Sequence, residues 1–244
     1  MSRWKASGIH FLLSFAVASA VLAFMLTVWY PKPLFEAAGG DRLVFILVAV
    51  DVTLGPLLTL VIFKSGKKGL KFDLAVIASL QLAALVYGMH AVYLARPVYL
   101  VFTKDRFDLV SAADLDPQDL EKVTRREFAQ LPLGRPQYIA AVSPSDPDAR
   151  RKLLDASLQG KDLQMHPQYY VPYAEEVPNA LKRAQPLELI LKRDPEGVQR
   201  HLSAAGRSQD SVKFLPLRGR QADGVVLLDA KTGAPLDIVL VDPW

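Results

Sequence analysis

The sequence predicts a chain in two parts: a membrane α-helical region with three transmembrane helices over residues 1–95, and a C-terminal α+β extracytoplasmic domain over 96–244. Three observations lead there. Long apolar stretches free of Lys, Arg, Asp and Glu crowd the first part. The surplus positive charge is confined to it: 1–95 holds eight Lys+Arg against four acids, leaving 21 of each in 96–244, so the net +4 belongs to the membrane half. From residue 97 onward, runs of β-branched and aromatic residues alternate with helix-starting signals.

The predicted spans are about 8–30, 43–63 and 74–95. The stretch Ala6–Pro31 carries no charged residue and closes on Trp29 and Tyr30, which suit a membrane interface. The second span is interrupted only by Asp51, and the third is uncharged until Arg96. Orientation follows the basic flanks. Arg3 and Lys5 precede the first span, and Lys64, Lys67, Lys68 and Lys71 separate the second from the third with no acid among them, whereas the 30–42 loop is balanced. The N-terminus and the lysine loop are therefore expected in the cytoplasm and 96–244 outside it. A cleaved signal peptide would use FEAAGG (35–40), but the apolar stretch exceeds the usual h-region of roughly 7–15 residues. A type IV prepilin leader would place a glutamate at the fifth position after Gly8, where this chain has Leu13.

Several function classes drop out. There is no cysteine, hence no disulfide, thiol nucleophile or cysteine metal site. The balanced charge of 96–244 argues against nucleic acid as a partner, despite a pI near 9.2. The sequence holds no HExxH, GxSxG or GxGxxG. Ser65–Lys68 matches SxxK in form only, within a short loop, and the four histidines (His10, His90, His166, His201) are scattered. The expectation is no enzyme, with no catalytic, cofactor-binding or metal residue.

Asp51 is the residue that needs explaining. A carboxylate at mid-span costs about 2.5–3.5 kcal/mol on insertion scales. Matching depths offers Ser19 and Gln81 as partners, and Pro56 in DVTLGPLLTLVIF should kink the helix and free carbonyls nearby. Either Asp51 knits the helices together or it is a contact for a partner's transmembrane helix. Both readings stay open.

In the extramembrane part, PVYLVFT (97–103), RFDLVSA (106–112), QYIAAV (137–142), VKFLPL (212–217), GVVLLDA (224–230) and LDIVLVD (236–242) read as strands. Asp116-Pro117, Asp146-Pro147 and Asp194-Pro195 each place a capping carboxylate before a proline suited to the first helical position. Those helices are expected to run to about residues 130, 159 and 206. The tyrosine- and proline-rich stretch 161–193 reads as extended or loop structure, covering the core or serving as a partner surface.

SRWKASGIHFLLS at the start, DVTLGPLLTLVIFKSGKKGLKFDL, ARPVYLVFTKDRFDLVSAADL and the closing VVLLDAKTGAPLDIVLVDPW resemble the TfpX/TfpZ family of type IV pilin accessory proteins, which is similar to FimB. The resemblance covers essentially the whole chain and is weakest over about 143–210. It implies a bacterial inner-membrane protein with a periplasmic C-terminal domain, which assists or tunes assembly of a major type IV pilin subunit. It carries no established site residue and no cofactor. Two other readings are a membrane-tethered periplasmic enzyme or sensor, and a scaffold of another envelope complex.

Overall fold

The computed structural model describes residues 2–204 and 206–244. The chain falls into two compact units. One runs through Val28 and resumes over Gly40–Ala95; the other comprises Trp29–Gly39 and Arg96–Trp244.

The chain opens with helix α1 (Arg3–Phe24), prolonged by a π turn (Met25–Trp29). The one-turn α2 (Leu34–Ala37) follows, then α3 (Gly40–Ala49), a second π turn (Val50–Leu54), α4 (Gly55–Ile62) and the long α5 (Leu70–Ala95). Ser2 caps α1, accepting the Lys5 N–H at 3.3 Å. The prediction of three transmembrane helices is corrected here. Among the described residues two helices are long and apolar enough to cross a membrane, Arg3–Trp29 and Leu70–Ala95. The stretch 43–63 is not one span but α3, a π turn and α4. Pro56 explains the break: it has no N–H to donate, and its ring crowds the carbonyl four residues back. The backbone ahead of it widens to the i→i+5 pattern.

Large apolar side chains lie outside in this first unit. Among the described residues, 20 exposed large hydrophobics fall within 1–95, including Phe11, Leu12, Leu80 and Val86, against six in 96–244. The buried polar residues of the first unit are Asp51 and Thr59.

The second unit is built on an eight-stranded mixed sheet: β1 (Pro97–Thr103), β2 (Arg106–Ser111), β3 (Gln137–Ala141), β4 (Tyr170–Pro172), β5 (Gln185–Pro186), β6 (Val212–Arg218), β7 (Gly224–Asp229) and β8 (Pro235–Val239). The order is β4-β3-β1-β2-β6-β7-β8, with β5 also paired to β6. The β1/β3 and β2/β6 pairs are parallel and the rest antiparallel. Alternation along the strands sorts the core. On β7, Val226 and Leu228 join a cluster with Phe102, Phe107 and Leu215, while Val225 and Leu227 face Phe214, Val198 and Leu202. A third cluster joins Val101, Val110 and Ile139 to Phe128 and Tyr170. With both faces covered, β1 and β7 are buried at every position, which is why they read as continuous apolar runs.

All three Asp-Pro caps form. Asp116 Oδ1 accepts the Gln118 N–H (2.9 Å), Asp146 Oδ2 that of Ala149 (2.7 Å) and Asp194 Oδ1 that of Gly197 (2.9 Å). They open α6 (Pro117–Leu120), α7 (Pro147–Leu158) and, beyond α8 (Tyr173–Arg183) and α9 (Glu188–Leu191), α10 (Pro195–Ala204). The helix expected to reach residue 130 stops at Leu120. The β-branched pair Val123-Thr124 weakens it, and Phe128 is drawn into the core from a short 3-10 turn, edge-on to Tyr170. The last strand ends at Val239 rather than 242. The stretch 161–193 is not extended cover alone: it contains α8, which carries Pro178 inside it and buries Tyr173 and Ala180.

Most of the 30–42 loop expected between the first two spans is a built part of the second unit, which takes in Trp29–Gly39. Leu34 enters the Phe102/Phe107 cluster, and Tyr30 and Ala37 are fully buried. The Ala37 carbonyl accepts the Arg220 and Gln221 N–H groups, each at 2.9 Å, and Trp29 Nε1 donates to the Leu133 carbonyl at 3.0 Å.

Candidate functional site

Several polar side chains of the helical unit gather around α4 and the π turn before it. On α1, Ser7, His10 and Ser14 stand at i, i+3 and i+7, so they line one stripe of the helix. That stripe meets α4: Ser7 Oγ donates to the Pro56 carbonyl at 2.9 Å, and His10 Nδ1 lies 2.6 Å from Thr59 Oγ1 in hydrogen-bond contact. On the remaining side α5 supplies Gln81, whose Nε2 donates to the Asp51 carbonyl at 3.1 Å. The π turn accounts for that bond. In an i→i+5 pattern the Asp51 carbonyl looks to residue 56, a proline without hydrogen, so a side-chain amide supplies the donor. Gly55 makes room for it, because a Cβ there would collide with the Gln81 amide.

Beside these contacts lies an open cavity of about 230 Å³ lined by His10, Ser14, Asp51 and Gln81, with Leu13 and Leu85 among its apolar walls. Asp51 is 8% exposed, and among the described residues its Oδ1 finds no hydrogen-bond partner. Such an acceptor is expensive when left alone. The arrangement can accept a hydrogen bond or a positive charge from outside the chain.

The structure brings Asp51, Gln81 and Pro56 together and leaves Ser19 out. Ser19 is exposed, and Ser14, more than one turn earlier, lines the cavity instead. Depth matching counts residues along regular helices, and the Val50–Leu54 π turn departs from that regularity. His10 and Ser14 were missed as site residues, although the Ser7/His10/Ser14 spacing was a visible signal. The basic residues Arg3, Lys5, Lys64, Lys67, Lys68 and Lys71 are all exposed, and Lys67 Nζ pairs with Asp73 at 2.5 Å. The histidines stay apart: His90 is exposed, His166 is buried with Nε2 at 3.2 Å from the Lys161 carbonyl, and His201 Nδ1 sits 2.5 Å from Asp237. Among the described residues no group of His, Asp or Glu is placed to hold a metal ion.

A family model described as fimbrial assembly protein FimB matches residues 1–39, the stretch from α1 to the end of the docked segment. Fimbrial assembly proteins of Dichelobacter nodosus align with the chain. Those of serogroups E1 and I are each 34% identical over 233 residues, covering 92% of this chain and 90% of theirs. That of serogroups C1 and C2 is 42% identical over 114 residues, covering 46% of this chain and 86% of its own. No solved structure matches. With 34% identity over nine-tenths of both chains, the chain belongs to the FimB-like family of fimbrial assembly proteins.

Proposed function

We propose that this chain is an inner-membrane accessory protein that assists or modulates assembly of a cognate type IV pilin into pili, by binding and without catalysis. Its relatives are named for fimbrial assembly. The inverted polarity of the helical unit, apolar outside and polar within, suits lipid as the surrounding solvent. Both long apolar helices begin beside cations (Arg3 and Lys5; Lys64 to Lys71), and both hand the chain to the sheet unit at their C-terminal ends. With those cations in the cytoplasm, 96–244 is a periplasmic α+β domain, and the docked 29–39 segment shares its compartment. The partner is the major pilin subunit: its membrane helix meets the Asp51 cavity, and its exported head meets the periplasmic domain.

The observation that carries this reading is a buried Asp51 whose Oδ1 has no partner among the described residues, at the wall of a cavity in an apolar unit. A partner helix that brings a donor there offsets the cost of holding the carboxylate in lipid. Asp51→Leu tests it: surface piliation falls while the protein stays membrane-inserted at its normal level, and Asp51→Asn, which keeps an acceptor, retains most of it. Normal piliation by Asp51→Leu at normal protein level would remove the cavity from the mechanism.

A further inference from the structure

The sheet unit has a second feature that pilin assembly through Asp51 does not use. Charge in 96–244 is balanced, 21 basic against 21 acidic residues, yet it is segregated. The parallel strands β1 and β3 finish side by side, with Phe102 opposite Ala140. Two adjoining clefts open where they end, of about 300 and 520 Å³, sharing Lys104, Ser143 and Leu163. Lys104, Arg106, Arg150, Lys182 and Arg183 line them; the acids there are Asp162 and Glu176. Arg106 is held by buried Asp108 at 3.1 Å, and Arg150 spends its guanidinium on the Pro144 carbonyl, which is neutral. Among the described residues Lys104, Lys182 and Arg183 have no ion pair, and all three are exposed. A cleft with surplus, unpaired cations raises the local concentration of anions.

Two more observations say what kind of anion fits. The helix forming one wall, α7, buries none of its residues, and it lines the cleft with Leu153 and Leu154, the latter 61% exposed. The aromatic residue among the lining, Phe102, is buried in the sheet, so its ring is not free to stack on a base or a sugar. Cations beside leucines match a protein segment carrying both acidic and apolar side chains better than a polysaccharide or nucleic acid. Lys104 itself holds φ +45° in the two-residue turn between Thr103 and Arg106, a place that favours Gly or Asn. Backbone strain of this kind clusters at ligand sites. We propose that this cleft is a docking site for an acidic, leucine-bearing segment of a partner protein.

The test uses the full chain in detergent and a fluorescein-labelled peptide of alternating glutamate–leucine pairs, read by anisotropy. The peptide binds, and binding weakens as salt is added. The combined variant Lys104→Glu, Lys182→Glu, Arg183→Glu lowers affinity roughly tenfold or more. Leu154→Ser lowers it by a smaller factor. Lys104→Asn, which relieves the strained turn while removing one charge, melts no lower than the parent and still binds more weakly. The proposal is overturned if the charge-reversed variant binds as well as the parent, or if a lysine–leucine peptide binds equally. It is also overturned if phosphatidylglycerol vesicles or heparin compete through the same residues at lower concentration than the peptide, which would assign the cleft to lipid or polysaccharide.

Discussion

The two units solve opposite solvent problems. In the sheet unit Phe107, Val226 and Leu228 are shut away on the sheet faces, while Lys104, Lys182 and Arg183 face out. In the helical unit Leu80, Leu12 and Val86 face out, while Asp51 and Thr59 are shut away. One chain therefore carries two polarity codes, changing at Arg96 and on either side of the Trp29–Gly39 segment. The comparison shows that burial alone does not measure hydrophobic stabilisation here. In the sheet unit it reports removal of apolar area from water. In the helical unit, under the membrane reading proposed above, the outward apolar faces would meet lipid and the inward polar groups would hold the helices together.

Substitutions can break or sharpen that contrast. The largest effect belongs to Phe107→Ala. Phe107 packs on Phe102 and Tyr173 at 5.7 and 5.5 Å between ring centroids, and its truncation should cost the sheet unit about 3–5 kcal/mol, read as a lower urea midpoint by tryptophan fluorescence. Next comes Leu80→Arg, on the outward face of α5. It should cost about 2.5–3.5 kcal/mol of membrane insertion, seen as loss of carbonate-resistant membrane protein. In a water-exposed helix the same change would be nearly neutral. Gly55→Ala should cost about 1–3 kcal/mol by pushing the Gln81 amide off the Asp51 carbonyl, lowering the melting temperature in detergent. Adding Gln81→Ala to it should cost little more, because both break one contact.

The smallest effect is a pH dependence in the sheet unit. Asp229 accepts the Thr232 and Lys231 N–H groups (2.8 and 3.0 Å) and pairs with Arg207 at 2.9 Å. These bonds hold its carboxyl below the ordinary carboxylate range, the backbone bonds foremost. A depressed folded-state value stabilises the protein above the unfolded carboxyl's pKa, and that contribution is lost as pH falls through the folded one. Asp229→Asn should thus lower the urea midpoint at neutral pH and flatten the loss of stability on acidification.

How much of this was legible in the sequence depended on whether the governing contact was local. The Asp-Pro caps act within three residues, and all three form. The strands were visible because both faces of the sheet are covered, so β-branched runs coincide with buried strands. Stops were harder to read than starts. Near Leu120 only the Val123-Thr124 pair weakens the helix; Phe128's place against Tyr170, a contact 42 residues away, accompanies the stop. Pro178 concealed α8, whose burial of Tyr173 and Ala180 outweighs the lost backbone bond. The break in 43–63 was half visible: the Gly55-Pro56 kink was expected, but its consequence, a π turn that divides the segment, was not. The docking of 29–39 was invisible, since its partners Arg220 and Gln221 lie about 180 residues downstream. The Asp51 cavity was half readable, through Gln81 and Pro56, and the Ser7/His10/Ser14 stripe was the signal left unused.

The most direct test of the central claim, an apolar unit in the membrane and a sheet unit beyond it, exploits the absence of cysteine. Ser65→Cys, in the exposed lysine turn, and Ser145→Cys, exposed ahead of α7, are made singly and treated in spheroplasts with a membrane-impermeant maleimide. Labelling at position 145 in intact spheroplasts, with position 65 reacting only after the membrane is opened, is the predicted result. The reverse pattern, or equal labelling of both before opening, would contradict it.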